Sequence, residues 1–306
     1  MAKNSRIVCY CLLIFSILLS SGCASKPQPS QKKMEIAEQS SEPIDSPDLN
    51  VPSNEVEPED IDAVEGWAVL AEKDDFSDVG KTNMLVDYID NKRLNQTLME
   101  AGWDADHIHE LRGFDRDSLV TELDWLEDAA DENDIVFFYV TTHGMHLSDD
   151  ILWEEFFEEE WAQISSWRRV LLVDSCTAGR FTKTVSGDPG SQLAIAAVDE
   201  DEYGWKGLEE EGLPIVGAIF TYYFTEAFSN LEGDSDGNGL ISVQEATLYA
   251  EENQREYMHE IVFAVPEFVD GYHQIGVMPE NDPEFPDVIL NDTIAEPLYL
   301  TLAAYQ

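Results

Sequence analysis

The feature that most constrains the fold of this chain is a series of short apolar runs without polar alternation. Four runs have this character, at residues 67–71, 135–140, 170–173 and 193–198. A strand that lacks alternation is buried on both faces, which is typical of parallel sheets covered by helices. The sequence therefore predicts an α/β fold in which a mainly parallel sheet lies between two layers of helices.

The segments between these runs carry apolar residues at intervals of three or four, which predicts helices. No second linker or internal repeat is found after residue 66, so one domain is expected. Predicted helices cover residues 84–98, 117–130, 216–231 and 243–257, and further strands are predicted at 108–111 and 261–265.

The N-terminus predicts export. Lys3 and Arg6 precede an apolar run at residues 7–19 that ends in small residues before Cys23. The run is too short to cross a membrane, so residues 1–23 are interpreted as a signal peptide. The closing residues resemble a bacterial lipobox, which implies cleavage before Cys23, acylation of its sulfur and attachment to a membrane of the cell envelope. Simple secretion is the alternative.

Residues 24–65 are rich in Ser, Pro, Gln, Glu and Asp and contain few large apolar side chains. Such a segment cannot bury enough apolar surface to offset the entropy of ordering the chain. It is predicted to be a disordered acidic tether between the anchor and a folded domain at residues 66–306.

Acidic residues dominate the composition, with 63 Asp and Glu against 17 Lys and Arg and a formal net charge of −46. A surface of this charge repels nucleic acid and anionic lipid headgroups, so no nucleic-acid partner is expected. The charge suits cationic partners, divalent cations or a saline habitat, and the composition does not distinguish among these.

A histidine and a cysteine follow two neighbouring predicted strands. His143-Gly144 comes after residues 135–140, and Cys176 comes after residues 170–173. Cys176 is also the only cysteine of the predicted domain, so a disulfide framework is excluded there. Since ligands bind at the carboxyl ends of parallel strands, we expect the two side chains to form one site. Their alternative roles are a core or capping histidine and an inert buried thiol.

This pair has the chemistry of acyl transfer by cysteine. The reaction needs a thiolate, an imidazole that takes and returns the proton, and N–H groups that hold the oxyanion. Cys176 is the candidate nucleophile and His143 the candidate general base. The amides of Gly144 and Cys176 are candidate oxyanion donors.

The residues around this pair resemble the caspase-like superfamily of cysteine peptidases, and are nearest to its metacaspase and legumain-like bacterial branches. The similar segments are residues 137–144, which end in His-Gly, and residues 171–179, which contain Asp-Ser-Cys-Thr-Ala-Gly. The resemblance implies a three-layer caspase-like sandwich, peptide or protein substrates, and the same roles for His143 and Cys176. The chain departs from the caspases in that Cys176 lies 33 positions after His143, where the caspases have a separation of about 50.

Two acidic segments are candidates for a substrate pocket. Asp74 and Asp75 follow the first predicted strand, and Asp199 and Glu200 follow residues 193–198. If these side chains line the pocket for the residue before the scissile bond, Coulomb attraction favours lysine or arginine there.

Residues 234–245 match the twelve-residue calcium loop of an EF-hand. Gly239 stands at the sixth position, and Ile241 at the eighth is expected to enter the core. Helices are predicted on both sides. The loop predicts Ca²⁺ as a structural or regulatory cofactor, bound with a dissociation constant on the order of 10⁻⁴ M or weaker. The predicted ligands are Asp234, Asp236, Asn238, the Leu240 carbonyl, Ser242 and Glu245.

Two functions fit these patterns. The first is an exported, lipid-anchored cysteine endopeptidase that binds calcium. The second is a catalytically inactive caspase-like module that binds calcium and a partner at the cell surface. The presence of both His143 and Cys176 favours the enzyme. A thiol outside the cell is susceptible to oxidation, and a module that only binds a partner gains nothing from it.

Overall fold

A six-stranded sheet forms the centre of the structure, a computed structural model that describes residues 63–74, 87–185, 192–274, 276–294 and 296–306. The strand order is β2-β1-β3-β4-β5-β8, and a separate two-stranded ribbon pairs β6 with β7. The strands are β1 Gly66–Glu72, β2 Ile108–Arg112, β3 Ile135–Thr141, β4 Arg168–Asp174, β5 Gln192–Ala196, β6 Lys206–Gly207, β7 Gly217–Ala218 and β8 Ile289–Asp292.

Helices cover both faces of the sheet. One face packs against α2 and α3, and the other packs against α1, α5 and α6. The helices are α1 Ile89–Glu100, α2 Arg116–Ala129, α3 Trp153–Gln163, α4 Ala178–Thr182, α5 Ile219–Asn230, α6 Val243–Tyr257 and α7 Pro266–Gln274. No helix in these described ranges is long and apolar enough to cross a membrane.

Strand β3 shows why the apolar runs lack alternation. Val136, Phe138 and Val140 enter one hydrophobic core, whereas Phe137 and Tyr139 enter the core on the opposite face. Strands β1 to β5 are parallel and β8 is antiparallel to β5. The prediction of a mainly parallel sheet with helices on both faces is confirmed.

The strand predicted at residues 261–265 is wrong. Helix α6 continues into a π-helical turn, Met258–Val262, and α7 follows after a short turn. Val262 is fully buried in a third apolar cluster with Ile219 and Phe268. An apolar run of five residues fits a buried strand and a buried helical turn equally well, because its length carries no periodicity.

Helix α3 was not predicted from its acid-rich sequence. Trp153, Phe157 and Trp161 recur every four residues and form a stack, with ring centroids 3.7 Å and 5.6 Å apart. All three are buried against the sheet. The spacing of these aromatic residues was the available signal, since it places them on one face of a helix.

Helix α5 begins three residues later than predicted. Gly217, at φ 97°, and Ala218 form the short strand β7 before the helix starts at Ile219. The signal peptide with Cys23, nearly all of the predicted tether, and Asp75 lie outside the described residues.

Candidate active site

Three parallel strands end in register at the edge of the sheet that carries the candidate pair. Thr141 of β3 is paired with Glu72 of β1 on one side and with Asp174 of β4 on the other. His143 and Cys176 are each the second residue beyond such a strand end. The structure therefore brings the two predicted catalytic residues to the same level at neighbouring strand ends.

The turn after His143 lies directly against Cys176. A Cβ atom built on Gly144 would lie 2.1 Å from the carbonyl oxygen of Cys176 and 3.1 Å from Oγ1 of Thr177. No side chain fits in that gap, so the glycine is required by the close approach of the two main chains.

His146 anchors the loop that carries His143. Its N–H donates to the His143 carbonyl at 2.8 Å, and its ring nitrogens contact Asp150 at 3.0 Å and the Phe114 carbonyl at 3.4 Å. Burial lowers the pKa of the imidazole of His146, which favours its neutral form. These contacts hold the loop in place, so His146 has a structural role here.

Cys176 stands on a sharp turn between β4 and α4. Thr177 adopts the left-handed region at φ 58°, and its N–H donates to the Glu202 carbonyl at 2.7 Å. Gly179 packs so closely on the next loop that an added Cβ would lie 2.8 Å from the nitrogen of Glu200. These contacts hold the partly exposed Cys176 at the mouth of the site.

The Cys176 thiol lies 3.9 Å from the Gly204 carbonyl, to which it donates a weak hydrogen bond. Burial raises the pKa of the thiol to about 11, and the hydrogen bond to Gly204 opposes this only in part. The negative charge of Asp174 raises it further. The thiol is therefore protonated at neutral pH, so attack requires a base that removes its proton.

A buried ionic cluster lies at the end of β1, the strand that neighbours β3. The ammonium of Lys206 lies 2.7 Å from the Glu72 carboxylate, 2.8 Å from that of Asp74 and 3.0 Å from that of Asp90. Burial raises the pKa of the Glu72 carboxyl to about 8, against the opposing effect of the Lys206 charge. Burial alone would lower the pKa of Lys206, but the carboxylates outweigh it and raise the value.

The predicted substrate acids fall into two separate places. Asp74 belongs to the cluster at the end of β1, whereas Asp199 and Glu200 follow β5. Three strand spacings separate β1 from β5, or about 14 Å across the sheet. Glu200 also forms an ion pair with Lys183, so its charge is partly compensated.

Sequence reasoning missed Lys206. The residue is one of the few cations in a strongly acidic chain, and it lies four positions after the acidic run at residues 199–202. This position was the only sign in the sequence that Lys206 has a role in the site. Its partners Glu72 and Asp90 are more than one hundred residues away, so no local pattern links them.

The loop at residues 234–245 lies after α5, includes the first turn of α6 and brings three carboxylates together. Oxygen atoms of Asp234, Asp236 and Glu245 lie within 4.8 Å of one another. The Asp234 carboxylate accepts from the N–H groups of Gly237, Asn238 and Gly239. Hydrogen bonds from Ser242, Ser235 and Asp236 outweigh burial and lower the pKa of Glu245.

The C-terminal segment pairs with this loop. Val243 donates to the Leu298 carbonyl at 2.7 Å, and Ser242 forms an antiparallel bridge with Tyr299. The side-chain amide of Asn238 donates to the Tyr299 hydroxyl at 3.2 Å. Ile241 is 4% exposed and enters the core, as predicted.

Comparison with known proteins identifies the family of the chain and its fold. A family model described as the caspase domain matches residues 65–258. Caspase-1 from Spodoptera frugiperda has a similar structure, with a TM-score of 0.53 and 10% sequence identity over 78% of this chain and 90% of that chain. No curated protein matches the sequence. The predicted caspase-like sandwich is thereby confirmed as the fold.

Proposed function

Because the chain belongs to the caspase domain family, whose members are cysteine peptidases, we propose that it is a cysteine endopeptidase with His143 and Cys176 as its catalytic pair. The observation that carries this proposal is the contact between Gly144 and the Cys176 carbonyl. It joins the main chains that hold the base and the nucleophile. An inert thiol and a capping histidine have no need of this contact.

The proposed reaction has two halves. His143 removes the thiol proton as Sγ of Cys176 attacks the peptide carbonyl, and the amides of Gly144 and Cys176 stabilise the oxyanion. His143 then protonates the leaving amine, which departs and leaves a thioester. Water attacks the thioester with His143 as base, and the acid product leaves with the thiol restored. The raised pKa of Cys176 is consistent with proton removal during attack.

Labelling with an electrophilic peptide ketone tests the proposal. The wild-type protein should gain the mass of one probe on Cys176, and Cys176→Ala should gain none. His143→Ala should label more than tenfold slower, since removal of a general base costs about 10²–10⁴ in rate. A wild type that does not label, with or without calcium, would favour the inactive binding module.

We also propose a preference for lysine or arginine before the scissile bond. The cluster of Glu72, Asp74 and Asp90 sets three carboxyl groups against the single cation Lys206. Burial raises the pKa of Glu72, but the three carboxyl groups still outnumber the one ammonium, so the cluster has an excess of acidic groups at the end of β1. A basic side chain would complement this charge. Fluorogenic peptides that differ only in that residue test the preference, and faster cleavage after aspartate or asparagine would reject it.

Calcium binding at residues 234–245 is a further part of the proposed function. The donors fit the ion, because the three clustered carboxylates, the Asn238 amide oxygen, the Ser242 hydroxyl and the Leu240 carbonyl are the oxygen ligands that Ca²⁺ takes. When bound, Ca²⁺ would neutralise the mutual repulsion of the carboxylates. These residues would thereby fix the connection between α5 and α6.

Calorimetry with Ca²⁺ tests this part separately. The wild type should release or absorb heat with a dissociation constant on the order of 10⁻⁴ M or weaker, and Asp234→Ala combined with Glu245→Ala should show none. Glu127→Gln is the control, because it removes one exposed acidic side chain outside the loop. Equal heats for the wild type and the double variant would reject this loop as the site.

We propose that the protein is exported and anchored through a lipid on Cys23. The proposal rests on the sequence before residue 24, with the charged start, apolar run and lipobox-like ending. Growth of a bacterial expression host with an alkyne-tagged fatty acid should label the wild type but not Cys23→Ala. Release of an unlabelled wild-type protein into the medium would favour simple secretion.

A further inference from the structure

Thr221, in the first turn of α5, contacts both strands that carry the catalytic pair. Its N–H and its hydroxyl donate to the same carboxylate oxygen of Asp174, at 3.0 Å and 2.7 Å. Its hydroxyl oxygen also lies 3.0 Å from the hydroxyl of Tyr139. Asp174 lies on β4, two residues before Cys176. Tyr139 lies on β3, four residues before His143.

The direction of these hydrogen bonds follows from their donors. An ionised carboxylate only accepts, so the single proton of the Thr221 hydroxyl points at Asp174. The Tyr139 hydroxyl must then donate to Thr221. Tyr139 and Thr221 are fully buried and Asp174 is 6% exposed, so water does not compete for these bonds.

A second contact joins the two strands at the same level. The Thr141 hydroxyl donates to the main-chain carbonyl of Asp174 at 2.7 Å. Asp174 is thus held through its main chain by β3 and through its side chain by α5. Any shift of Asp174 moves Cys176, because only Ser175 lies between them.

We propose that Thr221 is a positioning residue, which holds Asp174 and Tyr139 so that Cys176 and His143 remain opposite each other. The inference rests on the proposed peptidase function. Thr221 touches neither the substrate nor the reacting atoms in this role. It acts through the two strands.

The charge of Asp174 gives the proposal a signature in pH. Burial raises the pKa of Asp174 to about 6, whereas the two hydrogen bonds from Thr221 lower it. The other charged groups that act on it are Asp90, which raises the value, and Lys206, which lowers it. Tyr139 and Cys176 also face Asp174, and their own pKa values are raised in part by its charge. Protonation of Asp174 removes the charge to which Thr221 donates, so activity should decline below about pH 6.

Replacement of the hydroxyl by a methyl group tests the proposal, because Thr221→Val keeps the shape of the side chain. The variant should lower kcat/KM at pH 7 by about tenfold or more, from the loss of a hydrogen bond to a charged group. The acid limb of its pH profile should move up by about one unit. Thr221→Ser keeps the hydroxyl and should therefore have the kcat/KM of the wild type and the same acid limb of the pH profile.

Thr225→Val is the matched control. Thr225 lies one turn further along α5, is also buried, and donates only to the main-chain carbonyls of Thr221 and Tyr222. It should leave the pH profile unchanged. If Thr221→Val does not fold, Tyr139→Phe gives the same test from the other strand and should lower kcat/KM at pH 7.

If Thr221→Val, or Tyr139→Phe in its place, has the kcat/KM and the pH profile of the wild type, the positioning role is overturned. That result would leave the proposed peptidase function untouched. A wild-type protein that hydrolyses no peptide would instead refute the proposed function, so the two failures are distinct.

Discussion

The ammonium of Lys206 lies 2.7 Å from the carboxylate of Glu72, across 134 residues of sequence. Gly204, two residues before Lys206, accepts the thiol of Cys176 at the end of β4. The segment from Gly204 to Lys206 therefore extends across the end of β3, from the nucleophile to β1. Its ion pairs secure one side of the candidate active site.

Replacement of Lys206 by methionine should destabilise the protein by roughly 3–5 kcal/mol, because it leaves buried carboxylates without a cation. The Lys206 side chain is 10% exposed and those of Glu72 and Asp90 are fully buried. Urea unfolding at pH 7 measures the loss. Asp90→Asn added to Lys206→Met should recover part of it.

The exposed ion pair of Lys92 with Asp87 supplies the control for this prediction. Lys92→Met should leave the free energy of unfolding nearly unchanged, because solvent screens both charges. Equal effects of Lys206→Met and Lys92→Met would contradict the assignment of the buried cluster.

Gly144→Ala should reduce kcat/KM for peptide hydrolysis by at least about a hundredfold. The added methyl group would force the His143 turn away from the Cys176 carbonyl, and small displacements of catalytic groups cost about that much. Steady-state kinetics and circular dichroism measure activity and folding. Gly233→Ala is the control, since its Cβ would meet its neighbours at ordinary contact distances from 3.4 Å.

The free energy of unfolding should fall as the pH rises from about 5 to 7. Burial raises the pKa of Glu202 from an ordinary value near 4.5 to about 7, despite N–H donation from Asp287 and Asp199. In that window the folded protein holds a proton that the unfolded chain releases, so rising pH favours unfolding. Urea unfolding at several pH values measures the slope.

Glu202→Gln should make this slope shallower, because the glutamine does not titrate, while Asp174 and Glu72 still contribute to it. The exposed variant Glu127→Gln should leave the slope as in the wild type. A slope in Glu202→Gln as steep as that of the wild type would show that Glu202 does not hold the extra proton.

Tyr299→Phe should weaken calcium binding by about two- to tenfold. The Tyr299 hydroxyl accepts the Asn238 amide, which orients a predicted ligand, and one such hydrogen bond contributes about 0.5–1.5 kcal/mol. Calorimetry with Ca²⁺ measures the change. Tyr249→Phe is the control, because the Tyr249 hydroxyl contacts Asn230 and Glu232, which are not predicted ligands. Tyr305→Phe is unsuitable because the Tyr305 hydroxyl contacts Tyr299. An affinity equal to the wild type would show that the C-terminal segment does not support the loop.

The sequence by itself determined the parallel strands, the strand ends that carry His143 and Cys176, and the position of the acidic twelve-residue loop. Each of these depends on local pattern. A strand buried on both faces must be apolar throughout, as in β3, and the loop at residues 234–245 is defined by spacing within twelve residues. The run at residues 261–265 was too short for local pattern to separate a strand from a helical turn.

Only the tertiary structure decided how the polar groups around the pair are partnered. The strand order placed Asp74 and Asp199 on different sides of the site, although their local sequences are alike. Lys206 reached Glu72, and Thr221 reached Asp174 across 47 residues, because the fold brings these side chains into a dry interior. A buried charge or carboxyl group must find a partner there, and the chain order of the strands determines which partner is within reach.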